Sequence, residues 1–251
     1  MPSLSAVIIT YNEEKNIGRC IESLLGIADE IVVVDSYSAD RTKEICERYP
    51  VRFIHHSFEN YIVQKNYANN LAECDYILSI DADEELSEEL IQSLRTWKAL
   101  SDVADAYTIN RRNNYCGRWI RYSGWYPDRK IRLWKKSRGK WGGPIPHEIV
   151  LMEEDSRVSH LHGDLLHRSY TNIEEHRVRT EQYARMAALS MHRNGIPYNY
   201  FRTVYKPAAR FIKHYIVKLG FLDGREGFRI ARMMAREVRL KYRLLKDLEL
   251  K

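Results

Sequence analysis

Four short apolar runs punctuate the first hundred residues, and three of them run straight into acids. Leu4 to Thr10 precedes Tyr11-Asn12-Glu13-Glu14, Glu30 to Asp35 reads EIVVVD, and Tyr76 to Asp81 (YILSID) leads into Ala82-Asp83; the remaining run is Val51 to His55. The cores VIIT and IVVV lack the polar alternation of a strand with one wet face, so they suit parallel strands covered by helices on both sides. Helical periodicity fills the intervals: Lys15 to Leu25, Thr42 to Tyr49 with Asp40 as N-cap, Tyr61 to Ala72, and Ser87 to Lys98 capped by Ser87. This alternation predicts an α/β fold, a Rossmann-like, mostly parallel sheet flanked by helices.

From Ala104 the texture becomes aromatic and basic, with short β-like runs at Ala106 to Asn110, Lys130 to Trp134 and Asp164 to His167; from Thr171 it becomes helical, broken at Gly195-Ile196-Pro197 and between Gly220 and Gly227. The organisation expected is a catalytic domain over 1–170 and a basic amphipathic helical extension over 171–251. Within the first, 1–103 would form the regular half and 104–170 a mixed, less regular half that completes the site. Charge follows the same division. Residues 1–110 balance to −11, 111–170 to +7 and 171–251 to +10. A tail of that sign suits a phosphate-rich partner, while the acidic head would repel polyanions. The four cysteines show no C-x-x-C pair or dense spacing, which argues against a zinc knuckle or disulfide framework and for a reducing cytoplasm. No leader-like n-region precedes the first apolar run, and no stretch approaches the ~18 apolar residues of a membrane span.

In open α/β sheets ligands sit beyond the carboxyl ends of the strands. Here those positions hold Tyr11 to Glu14, Asp35 and Asp81-Ala82-Asp83. Carboxylates converging on one crevice repel one another unless a cation sits among them, and oxygen ligands suit Mg²⁺ or Mn²⁺. Glu84, Glu85, Glu88 and Glu89 read as acids at the start of the next helix. Asp35 stands where a dinucleotide-binding enzyme places its ribose acid, but the first turn lacks G-x-G-x-x-G, and its two glutamates would repel a pyrophosphate. Dehalogenase-type phosphotransfer uses D-x-D after the first strand, not the fourth.

The motifs Thr10-Tyr11-Asn12-Glu13-Glu14, Val34-Asp35-Ser36 with Asp40, Gln64-Lys65-Asn66 and Asp81-Ala82-Asp83-Glu84 together resemble a family 2 glycosyltransferase of the GT-A fold. The resemblance covers roughly the first 170 residues and implies a nucleotide-sugar half over 1–103 and an acceptor and metal half over 104–170. The later set Arg129, Arg132-Leu133-Trp134, Trp141, His147-Glu148 and His167-x-x-Tyr170 resembles the lipopolysaccharide-core β-1,4-glucosyltransferase branch. The resemblance implies that Thr10, Tyr11, Asn12, Glu13 and Asp35 surround base and ribose, with Lys65 near them or the phosphates. Asp81, with Ala82, would hold ribose, and Asp81 and Asp83 the metal, completed by His167 of the H-x-x-Y element. It also implies an inverting reaction, in which a base deprotonates an acceptor hydroxyl that attacks the sugar C1.

Glu148 is the expected base, placed in a Trp- and Gly-rich loop where burial would raise its pKa; the bland alternative is an ion pair with Arg129 or Arg132. Arg129, Arg132, Trp141 and His147 are the acceptor-binding candidates. Trp119, Trp125, Tyr126, Trp134 and Trp141 lie in one short segment with Arg118, Arg121, Arg129 and Arg132, a composition suited to stacking sugars and gripping phosphate, although most such aromatics are core. His160, His162 and His167 make a three-histidine metal site conceivable. In the tail, Arg229, Arg232, Arg236, Arg239, Arg243 and Lys246 share one helix face, with Ile230, Met234, Val238, Leu245 and Leu248 opposite. Two readings compete for that helix: a peripheral anchor with arginines on lipid phosphates and leucines in the acyl boundary, or an apolar side packed on the catalytic body or on a second copy of the chain. No nucleic-acid-binding motif is present.

The sequence thus predicts a hexosyltransferase using a UDP-sugar, with glucose the first choice. Its acceptor would be a saccharide or lipid-linked acceptor such as the lipopolysaccharide inner core, reached from the inner face of the plasma membrane. The rivals are a GT-A-like module that binds glycan or nucleotide without turnover, and a metal-dependent phosphotransferase using the D-x-D pair.

Overall fold

The computed structural model describes residues 1–144 and 148–250. The chain forms two compact units, one made of 1–111 with 128–167, the other of 112–127 with 168–251. His147, expected at the acceptor, lies outside the described residues.

In the first unit the alternation of strand and helix is the one expected, with β5 as an unforeseen addition: β1 (Leu4–Thr10), α1 (Ile17–Leu24), β2 (Glu30–Asp35), α2 (Thr42–Cys46), β3 (Arg52–His55), α3 (Tyr61–Leu71), β4 (Tyr76–Asp81), β5 (Glu84–Leu86) and α4 (Glu88–Lys98). The chain continues through β6 (Ala106–Tyr115), β7 (Arg118–Trp119), β8 (Asp128–Lys135), β9 (Gly139–Gly142), β10 (Ile149–Met152) and β11 (Val158–Tyr170). Strand order is β3-β2-β1-β4-β8-β6-β11-β5, with β9 and β10 a separate hairpin. The first four neighbours are parallel, and β8 joins β4 antiparallel. The fold is α/β, as expected.

The three inner parallel strands, β1, β2 and β4, are buried on both faces, whereas the edge strand β3 is only partly covered. Leu4, Ala6, Ile8, Val33 and Leu78 pack with α1 and α4, whereas Val7, Val32, Val34 and Ile77 pack with Ala68 of α3 and with Trp134. Two dry faces explain why these runs carry no polar alternation. Register brings the strand ends level, with Thr10 opposite Asp35, Ile9 opposite Asp81, and Asp35 opposite His55. The side chains of Asn60 and Ser87 cap α3 and α4, accepting from the amides of Val63 and Leu90. The second helix is shorter than expected. Its N-cap is Arg41, and Asp40 sits outside it, accepting from the amides of Thr42 and Glu14.

The second unit contains α5 (Ile173–Arg193), α6 (Tyr200–Ile212), a π-helical segment Lys213–Val217, a 3₁₀ turn Gly220–Asp223 and α7 (Gly224–Glu249). Segment 112–127 belongs with these helices because Asp223, 2% exposed, accepts from the amides of Arg121 and Tyr122 and from the Ser123 hydroxyl. Tyr115 and Ile120 share a core with Ile230. Along α7, Val238, Tyr242 and Leu245 are buried with Ala188 of α5, and Leu248 packs against that cluster. This corrects the picture of Val238 and Leu245 in an acyl boundary, because a helical neighbour already covers them. Among the described residues no helix is long and apolar enough to cross a membrane.

Candidate active site

The level ends of β1, β2, β3 and β4 set a row of polar side chains along one edge of the first unit. Thr10 is 5% exposed, and its hydroxyl is buried with no hydrogen-bond partner among the described residues. Tyr11 is 59% exposed. Asn12 takes a left-handed φ of 55°, donates its amide to the Ser38 hydroxyl (2.8 Å), and accepts from the Ala39 amide (2.8 Å). Its short side chain suits that conformation because it can bond locally. Glu13 accepts from the Asn16 side-chain amide at 2.7 Å. The loops after β1 and β2 therefore hold one another.

Asp35 is fully buried and accepts from both the amide and the hydroxyl of Ser38, with His55 Nδ1 at 3.1 Å. The His55 ring stacks on Tyr37 at 5.1 Å and 6° between planes, and Tyr37 is itself 60% exposed. Tyr11 and Tyr37 are thus exposed aromatic rings beside a buried acid, a composition suited to a nucleoside. His55 and Tyr37 did not stand out in the sequence. The signal for His55 was available, since it ends the third strand as Asp35 ends the second.

Beyond β4 the site is a charge network. Asp81 meets Lys65 Nζ at 2.8 Å through one oxygen and Arg132 Nη2 at 3.2 Å through the other. Burial alone would raise its pKa, but Lys65 and Arg132 outweigh burial and hold it well below the carboxylate range. Lys65 lies 4.3 Å over the Trp141 ring. Asn66 and Trp141 exchange hydrogen bonds at 2.9 Å through the Asn66 side chain and the Trp141 backbone, fixing α3 to β9. Arg132, 3% exposed, also binds Glu84 at 2.8 Å, and Glu84 accepts from the Asp81 amide at 3.0 Å. Glu84 is not a helix-start acid. It sits in β5, opposite His167 of β11, fully buried, and burial pushes its pKa up.

Asp83 and His167 form the other half of the network, with Oδ2 to Nε2 at 3.0 Å. Burial would lower the His167 pKa, but the hydrogen bond and charge of Asp83, with Glu84 nearby, raise it. Both side chains keep some exposure, 24% and 15%. Ala82 between the aspartates is 3% exposed and has no polar group to offer. Among the described residues no three His, Cys, Asp or Glu side chains converge as a metal cage. One carboxylate and one imidazole nevertheless suit a divalent ion that takes its remaining ligands from water and diphosphate. Asp81 suits that role less, since both its oxygens already meet cations.

Of the other candidates, Glu148 is partly buried, and its Oε2 has no hydrogen-bond partner among the described residues. Neither Arg129 nor Arg132 pairs with it there. Arg129 is exposed on β8 and bonds the Asn110 side chain at 3.3 Å. Arg132 points to the interior on the same strand, so the two arginines do not form a common grip on an acceptor. Trp141 is 5% exposed and packs edge-on against Trp134. In the second unit, Trp125 packs edge-on against Tyr115. Most of the aromatic cluster is therefore core. His160 bonds the Thr108 carbonyl at 2.9 Å and lies near His162, whereas His167 is engaged by Asp83, so the three histidines form no triad.

Comparison with known proteins shows the family to which the chain belongs. The family model described as "Glycosyl transferase family 2" matches residues 5–157. An uncharacterised glycosyltransferase of Rickettsia typhi is 30% identical over 260 residues, covering 100% of this chain and 89% of that protein. The lipopolysaccharide core biosynthesis glycosyltransferase LpsC of Rhizobium meliloti is 29% identical over 231 residues, covering 90% of this chain and 85% of its own. Among solved structures, S. aureus TarS 1–349 in complex with UDP superposes with a TM-score of 0.48 at 17% identity, covering 99% of this chain and 91% of that one. A match over residues 5–157, well over half of the chain, and full-length similarity to a named glycosyltransferase make this protein a member of glycosyl transferase family 2.

Proposed function

We propose that this glycosyltransferase is an inverting, metal-dependent hexosyltransferase. It transfers a hexose, glucose as first choice, from a UDP-sugar to a lipid-linked saccharide of the lipopolysaccharide inner-core type, working on the inner face of the plasma membrane. The observation that carries the reading is the level set of strand ends, which puts Asp35, Asp81 and the Asp83–His167 pair along one sheet edge. The similarity to LpsC supports the class of acceptor.

In this reading Tyr11, Tyr37 and the Thr10 hydroxyl receive the nucleoside, with Asp35 holding the loop beneath it through Ser38. Asp81, pinned between Lys65 and Arg132, accepts from a ribose hydroxyl, and Lys65 lends positive charge to the adjoining phosphate. Asp83 and His167 would hold Mg²⁺ or Mn²⁺, which when bound supplies charge that stabilises the departing diphosphate. Glu148 takes the proton of the acceptor hydroxyl through Oε2. The acceptor oxygen, having given up its proton, attacks the sugar C1 from the face opposite the leaving UDP, so the acceptor–C1 bond forms as the C1–O bond to UDP breaks and the configuration inverts. A buried carboxylate oxygen with no hydrogen-bond partner among the described residues is well prepared to accept that proton.

The test is a thermal-shift panel of nucleotide sugars with and without Mn²⁺, followed by transfer assays with the donor that stabilises. Stabilisation by one uridine donor, larger with Mn²⁺, is expected. Equal response to purine and uridine donors, or none to any, overturns the donor assignment.

A further inference from the structure

In the second unit, α6 and α7 border a groove of about 980 Å³ whose two kinds of lining differ sharply in chemistry. One side presents Arg229, Arg232, Arg236, Arg239 and Arg243 of α7, and the other presents Val204, Pro207, Phe211 and Ile212 of α6. The lining includes no acidic residue. Arg229 and Arg236 have partners in Glu226 and Glu181, but Arg232, Arg239 and Arg243 have no ion pair among the described residues. Across from them Val204 and Ile212 are 54% and 50% exposed, although α6 packs along α7. The same hairpin carries further uncovered apolar side chains, with Val217 at 67%, Leu222 at 47% and Phe221 at 46% exposed. From 200 to 222 the sequence has five Lys or Arg and no Asp or Glu.

Guanidinium groups facing bare aliphatic side chains call for one ligand with an anion at one end and a hydrocarbon at the other. A nucleic acid supplies phosphate but nothing to cover Val204 and Ile212. A second copy would bring a tail of the same sign, since 171–251 carries a net +10. We propose that this groove seats an anionic phospholipid of the bilayer, its acyl chain along Val204, Phe211 and Ile212 and its phosphate on Arg232, Arg239 and Arg243. The α7 arginines then act on lipid without help from Val238 and Leu245, which are buried elsewhere. The inference rests on the membrane-surface reading above and deepens it by naming the seat.

The test is co-sedimentation of the full chain with vesicles of phosphatidylcholine alone and of phosphatidylcholine mixed with phosphatidylglycerol, at stepped salt. Wild-type protein should bind the mixed vesicles and keep a salt-resistant fraction. With each arginine near an anionic surface worth about a fivefold change, Arg232→Gln, Arg239→Gln and Arg243→Gln together should weaken binding about a hundredfold. Val204→Asn with Ile212→Asn should remove the salt-resistant fraction and leave the salt-sensitive one. Absent binding to mixed vesicles, equal binding to neutral ones, or unchanged binding by both variants overturns the seat. So does a concentration-dependent dimer or duplex-DNA capture that the same variants abolish in place of vesicle binding. UDP-sugar thermal shifts measured on every variant should match wild type. Their absence in all, with vesicle binding intact, would sink the donor reading and not the lipid seat.

Discussion

Replacing Arg132 by methionine should be among the most damaging single changes at the candidate site, and its size follows from what the guanidinium touches. Arg132 is 3% exposed and meets Glu84 at 2.8 Å and Asp81 at 3.2 Å. Removing one partner of a buried ion pair leaves an uncompensated charge and typically costs about 3–5 kcal/mol. Asp81 keeps Lys65 at 2.8 Å, so the group that loses most is Glu84, whose side chain has no exposure and retains only the more distant Arg111 at 4.0 Å. The low end of the range, about 3 kcal/mol, is therefore expected at pH 7, or roughly 6–12 °C in Tm for a unit of this size. Burial already pushes the Glu84 pKa up, so in the variant Glu84 should take a proton readily. The deficit should then shrink as the pH is lowered from 7 to 5. Adding Glu84→Gln to Arg132→Met should recover about 1–2 kcal/mol, because a neutral amide costs less to strand than a carboxylate. Urea unfolding followed by tryptophan fluorescence at the two pH values, on both single variants and the double, gives the cycle. A loss below about 1 kcal/mol, or Glu84→Gln costing the same with and without Arg132, would falsify the assignment of this pair as the structural clamp on Asp81.

Other expectations follow from particular contacts. Glu148→Gln should leave donor binding unchanged while slowing transfer by about 10²–10⁴-fold, read in single-turnover assays; wild-type turnover moves the base elsewhere. Asp83→Ala should remove the Mn²⁺-dependent part of donor stabilisation with the circular dichroism spectrum intact, and a retained Mn²⁺ response removes Asp83 from the metal position. His176, 6% exposed and bonded to the Tyr115 hydroxyl, has its pKa lowered to about 4, first by burial and then by the Arg179 charge. Below about 6.5 the unfolded chain therefore binds a proton that the folded chain refuses. Stability should fall by about 3 kcal/mol as pH drops from about 6.5 to about 4, and His176→Gln should flatten that slope in urea titrations; an unchanged slope assigns the acid sensitivity to other groups. Gly227→Ala should destabilise by about 2 kcal/mol or more, because a Cβ there would lie 1.8 Å from the Gly220 carbonyl oxygen; a Tm within 1–2 °C of wild type would contradict the close approach of α7 to its preceding turn.

The parallel half of the sheet was legible because its signal is local. A run such as IVVV is dry on both faces wherever it sits, and the register that levels Thr10, Asp35 and Asp81 follows from stacking such runs side by side. What escaped depends on pairing across long sequence separations. Glu84 looks like the first acid of a helix until Leu86 and Glu84 pair with Leu165 and His167, about eighty residues away, and become a strand. Arg129 and Arg132 look alike in sequence. On β8 one faces out and the other in, and the irregularity between Tyr107 and Thr108 in the β6 pairing shifts the local register. In α7 the apolar face was visible, but periodicity does not say whether a lipid or a neighbouring helix covers it.

The same distinction bears on the charge of the site. Acids gathered at strand ends need cations, and a metal is the simplest source that a sequence suggests. The structure supplies several from the protein itself. Lys65 and Arg132 stand against Asp81 and Glu84, Arg111 lies 4.0 Å from Glu84, and His167 is biased toward its charged form by Asp83. The resting network is thus close to balanced before any ligand enters. A nucleoside diphosphate brings additional negative charge. The charge of Lys65 and Arg132 is largely offset by Asp81 and Glu84, so Lys65 alone meets little of it, and the partly exposed Asp83 and His167 are the position from which a divalent ion would meet the rest. On the proposed reading, metal and donor should therefore bind with positive coupling, each strengthening the other by the same factor. Titrating Mn²⁺ with and without UDP, and UDP with and without Mn²⁺, measures that factor from both sides; independent binding would place the ion away from the diphosphate and detach Asp83 and His167 from the chemistry.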